Sequence, residues 1–198
     1  TARLHGGPPA ETLARLAKRI EERIRVTVSI GLSYNKFLAK VSSDMDKPRG
    51  FHAIGQADAV AFLAEQPVSI IWGVGKTLHR TLMANGIRRV ADLQGHSERD
   101  LMRRYGAMGQ RLFRFARGED NRRIEASSPV KSVSNETTFD GDITAVDALR
   151  PYLWKLAEEV SGRLKRKGIA GSTVTLKLKT ADFKLSTRQR GEVRPAQA

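Results

Sequence analysis

"IIWGVGKTLHRTL", residues 70–82, contains Gly-Val-Gly-Lys-Thr, and two readings of it lead to two different folds. A nucleotide-binding phosphate loop places a further glycine five positions before the glycine that precedes the lysine, so that successive N–H groups can surround the phosphates. Counted back from Gly75, that position is Ile70. Such a loop also follows a buried strand, whereas Pro67 lies just upstream and Val68, Ile70, Ile71 and Trp72 form a short, irregular apolar run. The ATPase reading fails on both counts. In the second reading, Gly73 and Gly75 flank one apolar residue between a helical turn and a helix. Both glycines then allow close approach of a ligand to the backbone. The first N–H groups of the following helix, near Lys76 and Thr77, face outward as a phosphate site. This is a helix-hairpin-helix, which grips a DNA backbone without reading bases. A plain helix-turn-helix corner packed on the core is the competing use of the same glycines.

The composition agrees with a polyanionic partner. Thirty-five Lys and Arg against 21 Asp and Glu give a formal charge of +14, with a pI near 10.6. The excess is spread along 198 residues, as in a folded nucleic-acid binder, although a solubilising surface has the same signature. The chain has no cysteine, which excludes disulfides and thiolate metal sites. No apolar run approaches the roughly 20 residues of a membrane span. A soluble, cytoplasmic protein is expected, and because residue 1 is Thr, one that does not start where translation starts.

Working outward, "AETLARLAKRIEERI" after Pro8 and Pro9 has Leu13, Leu16, Ile20 and Ile24 at helical spacing. "RVTVSIGL" alternates as a strand, "SYNKFLAKVSSDMDKPRG" reads as a helix stopped by Pro48 and Gly50, and "FHAI" as a short strand. After Pro67 come short helices closed by glycine: "KTLHRTLMANGI", "SERDLMRRYG" and "MGQRLFRFARG". Residues 121–129 read as a linker. Beyond it, "VKSVSNETTF" is expected as a strand, "VDALRPYLWKLAEEVSGRLKRKG" as a helix with Pro151 in its true first turn, "STVTLKLKT" as a strand and "DFKLSTRQR" as a fourth element.

Two further basic surfaces follow from periodicity. In the helix from Tyr34 to Asp46, Lys36, Lys40, Ser43 and Lys47 form a stripe opposite Phe37, Leu38, Val41 and Met45. In "STVTLKLKT", Thr173, Thr175, Lys177 and Lys179 share one face, and Val174, Leu176 and Leu178 the other, which the preceding helix is expected to cover. Each is also what an ordinary solvated face looks like. His5, His52, His79 and His96 show no ligand spacing. Asp44 and Asp46, two apart on a helix, diverge. No catalytic constellation is evident.

Taken in order, "SIGLSYNKFLAKVSSDMDKPRGF", "IIWGVGKTLHRTLMANGI", "DLMRRYGAMGQRLFRFARGED" and "KSVSNETTF" resemble the Y-family translesion DNA polymerases, most closely the bacterial DNA polymerase IV type. The resemblance covers residues 1 to about 190. It implies an α+β fold: residues 1–65 as the C-terminal part of a palm, 66–120 as an all-helical thumb with the helix-hairpin-helix, and 130–198 as a partial α/β little finger, cut short at its end.

The resemblance also implies roles. Lys47 would touch the triphosphate of an incoming deoxynucleoside triphosphate. Gly73, Val74, Gly75, Lys76 and Thr77 would hold the primer-strand backbone, and Lys131, Lys177 and Lys179 would lie along the primer-template DNA. Family members hold magnesium with three carboxylates, one near the N-terminus and two in an adjacent Asp-Glu pair. The resemblance starts just after that pair. The expectation is therefore part of a bacterial DNA-directed DNA polymerase acting on damaged DNA, whose metals bind outside this chain and whose isolated piece binds DNA without catalysis. A sliding clamp would be engaged through a segment beyond the C-terminus. The alternatives are a non-enzymatic helix-hairpin-helix DNA-binding module and a basic RNA-binding protein.

Overall fold

Pro8 and Pro9 stand at the entry to a helix, where proline's missing N–H costs nothing, and α1 runs Pro9–Ile24. The computed structural model describes residues 6–125 and 128–191. They fall into two compact units, Thr1–Glu125 and Ala126–Ala198. None of α1 is buried, and Leu16 and Ile24 are 47% and 65% exposed. In the first unit β1 (Ile30–Ser33) leads through α2 (Lys36–Met45) to β2 (Phe51–Ile54), which pairs with β1 in parallel from Ile30↔Phe51 to Ser33↔Ile54. The expected strand from Arg25 to Leu32 is thus shorter at its start. Val26 and Val28 lie outside the register with β2, and without a partner no ladder forms there.

Short helices follow: α3 (Ala59–Ala64), a 3-10 turn (Val68–Ile70), α4 (Lys76–Ala84), α5 (Val90–Gln94), α6 (Glu98–Tyr105) and α7 (Ala107–Ala116). One core runs through all of this, from Phe37, Leu38 and Val41 of α2 to Leu82 of α4, Leu101 of α6 and Leu112 and Phe115 of α7. Helices α6 and α7 meet at Gly106, with φ 59°, and cross closely at Gly109, where a Cβ would lie 2.0 Å from the Leu101 carbonyl oxygen.

The second unit holds α8 (Val146–Lys167) and an antiparallel ribbon of β3 (Thr173–Lys179) and β4 (Leu185–Gly191). Three expectations are corrected here. Helix α8 starts a turn before Pro151, which forgoes only the bond to the Asp147 carbonyl, while Asp147 pairs with Arg150 at 3.3 Å. Residues 130–139 form no strand; Arg163 Nη1 donates to the Ser134 carbonyl at 2.8 Å, and Asn135 bonds Glu159 and Arg163. The helix does not cover the Val174, Leu176 and Leu178 face, whose residues are 59%, 46% and 44% exposed, and no residue of α8 is buried.

Protection against hydrogen exchange should follow burial. Amides in the middle of α1 are expected to exchange faster than those of α6 and α7, which cross over buried Leu101 and Leu112. Equal protection, measured by mass spectrometry, would contradict this.

Candidate nucleic-acid interface

The 70–82 stretch folds as a hairpin pinned from below and open above. Val68, Ile71, Leu82 and Ile87 are buried, and half-buried Val74 packs against the same core. The Val68 N–H donates to the Arg88 carbonyl at 3.0 Å and the Val90 N–H to the Gln66 carbonyl at 2.9 Å, which ties both sides of the hairpin together. Gly73 has φ 103°, and a Cβ there would stand 3.1 Å from Met108 Cε. Gly75 is different: its φ is −79°, ψ is 176°, and a Cβ would meet nothing within 4 Å. The glycine needed for the turn is therefore Gly73, and the space above Gly75 is free.

Helix α4 begins with the bond from His79 N–H to the Gly75 carbonyl at 2.9 Å. The N–H groups of Lys76, Thr77 and Leu78 precede that ladder, and Lys76 and Thr77 are exposed. The helix carries no acid in its first turn and no side-chain cap. That leaves the positive end of its dipole open to an anion.

Lys47 lies past the end of α2, so the four-residue stripe is not one helix face as expected. Asp44 binds both Lys40 and Lys47, with Lys47 Nζ 2.5 Å from its Oδ1, and these two hydrogen bonds hold its carboxyl below the ordinary value. Ser43 Oγ donates to the Lys40 carbonyl at 2.8 Å, and Lys36 Nζ to the Arg123 carbonyl at 3.2 Å. The stripe is thus partly neutralised. Between α2 and the hairpin runs a groove of about 420 Å³, bordered by Lys40 and Asp44 on one side and Ser69 to Val74 on the other. Asp44 and the hairpin border this groove directly, and Lys47 is linked to it only by its ion pair with Asp44.

Residues 118–123, of which 121–123 read as linker in the sequence, bind the start of α2 and reach Trp72 at the groove. Tyr34 Oη and Asn35 Nδ2 donate to the Gly118 carbonyl at 2.9 and 2.7 Å, while Asn35 Oδ1 caps α2 by accepting from Leu38 N–H at 2.9 Å. Asp120 accepts from the Phe37 N–H at 3.0 Å and from Nε and Nη2 of Arg122, each at 2.8 Å. Arg122 in turn lies over Phe115 and Trp72. Trp72 and Arg122 were missed because neither takes part in a periodic pattern.

In the second unit Lys131 is exposed outside any strand, while Lys177 and Lys179 lie on β3. Lys177 faces Thr187 across the ribbon, Lys179 faces Leu185, and Lys179 Nζ sits 4.1 Å from the Phe183 ring centroid. Arg188 and Arg190 stand opposite Leu176 and Val174. Both faces of the ribbon therefore carry cations, which a reading of β3 alone does not show.

Among the described residues no three His, Asp or Glu side chains are grouped to hold a metal, and Asp44 is already satisfied by two lysines. His52 bonds Ser42, His79 is within α4, half-buried His96 accepts from Arg117 through its carbonyl, and His5 lies outside the described residues. No described helix is long and apolar enough to cross a membrane.

Residues 1–44 match the impB/mucB/samB family, and residues 130–195 match the C-terminal domain of that same family. Over 190 residues the chain is 60% identical to DNA polymerase IV 1 of Mesorhizobium japonicum and 55% identical to DNA polymerase IV of Brucella melitensis, covering 96% of this chain and 43% of each relative. It is 46% identical to DNA polymerase IV of Caulobacter vibrioides, over 100% of this chain and 49% of that protein. The chain thus spans about half the length of the curated relatives it matches. A Y-family DNA polymerase chimera, Dbh-Dpo4(243-245)-Dbh, shares the fold with a TM-score of 0.77 at 24% identity, over 95% of this chain and 54% of that one. The ordered motifs, the α+β architecture and these relatives agree, and the chain belongs to the Y-family DNA polymerases of the DNA polymerase IV type.

Proposed function

We propose that this chain is the DNA-gripping part of a translesion DNA polymerase: it holds the primer-strand backbone at the Gly73 to Thr77 hairpin and further duplex at Lys131, Lys177 and Lys179. Lys47 serves the triphosphate of the incoming nucleotide. The observation that carries the reading is the open space over Gly75 beside three N–H groups free of the helix ladder, next to Lys76. Palm for 1–65, thumb for 66–120 and little finger from 130 onward is the domain assignment that goes with it. Magnesium in the complete enzyme is held by carboxylates supplied from outside the described residues, which offer no cluster for it. On its own, then, the chain binds primer-template DNA but does not extend it. A sliding clamp remains a proposed partner of the complete polymerase, as does a bacterial cytoplasmic location.

Binding driven by phosphates is salt-dependent. With about four phosphates engaged, affinity for primer-template DNA should fall on the order of 100-fold between 50 and 200 mM salt. Gly75→Ala is the sharper test. Its φ suits alanine and no atom is displaced, so the thermal midpoint should hold, while an added methyl group where the backbone meets phosphate weakens binding about tenfold. Unchanged affinity in fluorescence anisotropy would remove the hairpin from the interface. Lys47→Ala separates the polymerase from a simple DNA-binding module: it should leave binary DNA affinity nearly unchanged and abolish nucleotide-dependent complex formation.

A further inference from the structure

Trp72 is 55% exposed, although tryptophan is the residue a protein gains most by burying. It is also the end of a built stack. The Phe37 and Phe115 rings lie parallel, 4.3 Å apart with 6° between planes. The Arg122 guanidinium carbon is 5.4 Å from the Phe115 centroid and 5.2 Å from that of Trp72, and Arg111 lies 5.7 Å from Trp72. Arg122 is anchored, since its side chain donates twice to Asp120, whose own side chain is 2% exposed. The Arg111 side chain has no hydrogen bond or ion pair among the described residues and is exposed. The guanidinium-flanked indole borders the groove of about 420 Å³, within the range of clefts that take small planar ligands.

We propose that Trp72 is a stacking platform for an unpaired nucleobase of the DNA strand whose backbone the adjacent hairpin grips, with Arg111 moving from the indole to the phosphate of that nucleotide. This rests on the hairpin reading and adds a base-recognising element to it. The flat π-face suits a nucleobase, and two cations beside it suit the nucleotide's charge rather than an apolar peptide side chain. A paired base inside a duplex has both faces covered by its neighbours, so the occupant is single-stranded or frayed. Stacking is tolerant of base identity, because every base offers a π-face.

The test uses the full chain carrying Trp154→Phe. That replaces the other of the two tryptophans, 70% exposed on α8 of the second unit, and leaves Trp72 as the sole indole reporter. The probes are an eight-residue oligothymidylate, an eight-residue abasic oligonucleotide with the same phosphates, and thymidine monophosphate, all at low salt. Oligothymidylate should quench the indole emission and bind more tightly than the abasic strand. Trp72→Ala should weaken oligothymidylate binding about 5- to 100-fold and leave abasic binding unchanged, with Trp72→Phe in between. Weak or absent quenching by the monophosphate marks the base as part of a strand; binding of the monophosphate as tight as the oligonucleotide overturns the strand and assigns the platform to a free nucleotide. If both strands bind equally and Trp72→Ala changes neither, the platform is wrong and the hairpin stands. If neither strand binds, the hairpin reading falls and the platform with it. A urea midpoint checks each variant; should Trp72→Ala fail to fold, the abasic comparison and Trp72→Phe decide alone.

Discussion

Asp120→Ala should lower the stability of the Thr1–Glu125 unit by about 3 kcal/mol, measured by urea denaturation with Trp72 emission as the probe in a Trp154→Phe background. The carboxylate is nearly inaccessible and satisfies four donors that alanine leaves without an acceptor: the Phe37 N–H at the start of α2, and the backbone N–H, Nε and Nη2 of Arg122. Arg122 is 41% exposed and can turn to water, which keeps the loss near the lower end for a broken pair. Losing it also frees the guanidinium from Phe115 and Trp72, so the indole should become more mobile. Hydrogen bonding from Arg122 holds the Asp120 carboxyl below its ordinary value. A lowered folded value means that this stabilisation is present above the unfolded carboxylate value near 3.9 and is lost as pH falls through the lower folded one. Asp44 and Asp92 titrate in the same direction, so the wild-type acid transition is shared. The contribution of Asp120 is what vanishes in the variant: the stability difference between the two proteins should be full at pH 6 and shrink below pH 4. A difference independent of pH would show that the ionised carboxylate is not what holds the stretch.

Much of the first unit is legible in the sequence because its signals are local. The apolar spacing of Phe37, Leu38 and Val41 on α2 identifies residues that are indeed buried, and the Gly-Val-Gly pattern leads directly to the hairpin. Met45 fails as a core residue because the helix ends there. What the sequence hides is decided by long-range partners. Asp120 accepts from the Phe37 N–H, 83 residues earlier in the first turn of α2, and no periodicity connects the two. Arg122 looks like linker charge until Phe115 and Trp72 are seen on either side of it. The second unit was misread for the opposite reason. Alternation in β3 is a good local strand signal, and 130–139 is expected to join it, but a strand requires a neighbour and an apolar face requires a cover, and the described residues of this unit supply one partner strand and no packed helix.

Gly31→Ala should cost at least about 3 kcal/mol, because the methyl group has nowhere to go. Gly31 lies on β1 directly under α2, where a Cβ would stand 2.0 Å from the Ala39 carbonyl oxygen, 2.2 Å from the Ser43 nitrogen and 2.8 Å from the Ser42 carbonyl carbon. All three are backbone atoms of the helix, so no rotamer change relieves the clash; strand and helix must separate. The separation opens a well-filled contact, since Phe37, Leu38 and Val41 leave the core together with Ile54 of β2. It also breaks the bonds by which buried Ser42 Oγ reaches the His52 carbonyl at 2.6 Å and His52 Nδ1 at 2.9 Å. For the proposed function the consequence is specific: α2 carries Lys40 and Asp44 at the groove and leads into Lys47, whereas the hairpin across that groove is anchored on the core by its own Val68, Ile71 and Leu82. Gly31→Ala should therefore disturb the nucleotide end before it disturbs backbone binding by the hairpin. Gly141→Ala and Gly171→Ala, each with nothing within 4 Å of the new carbon, serve as controls and should change stability by less than about 0.5 kcal/mol. Were Gly31→Ala to match those controls in urea midpoint, the close packing of α2 on β1 would be wrong, and with it the placement of Lys47 beside the groove.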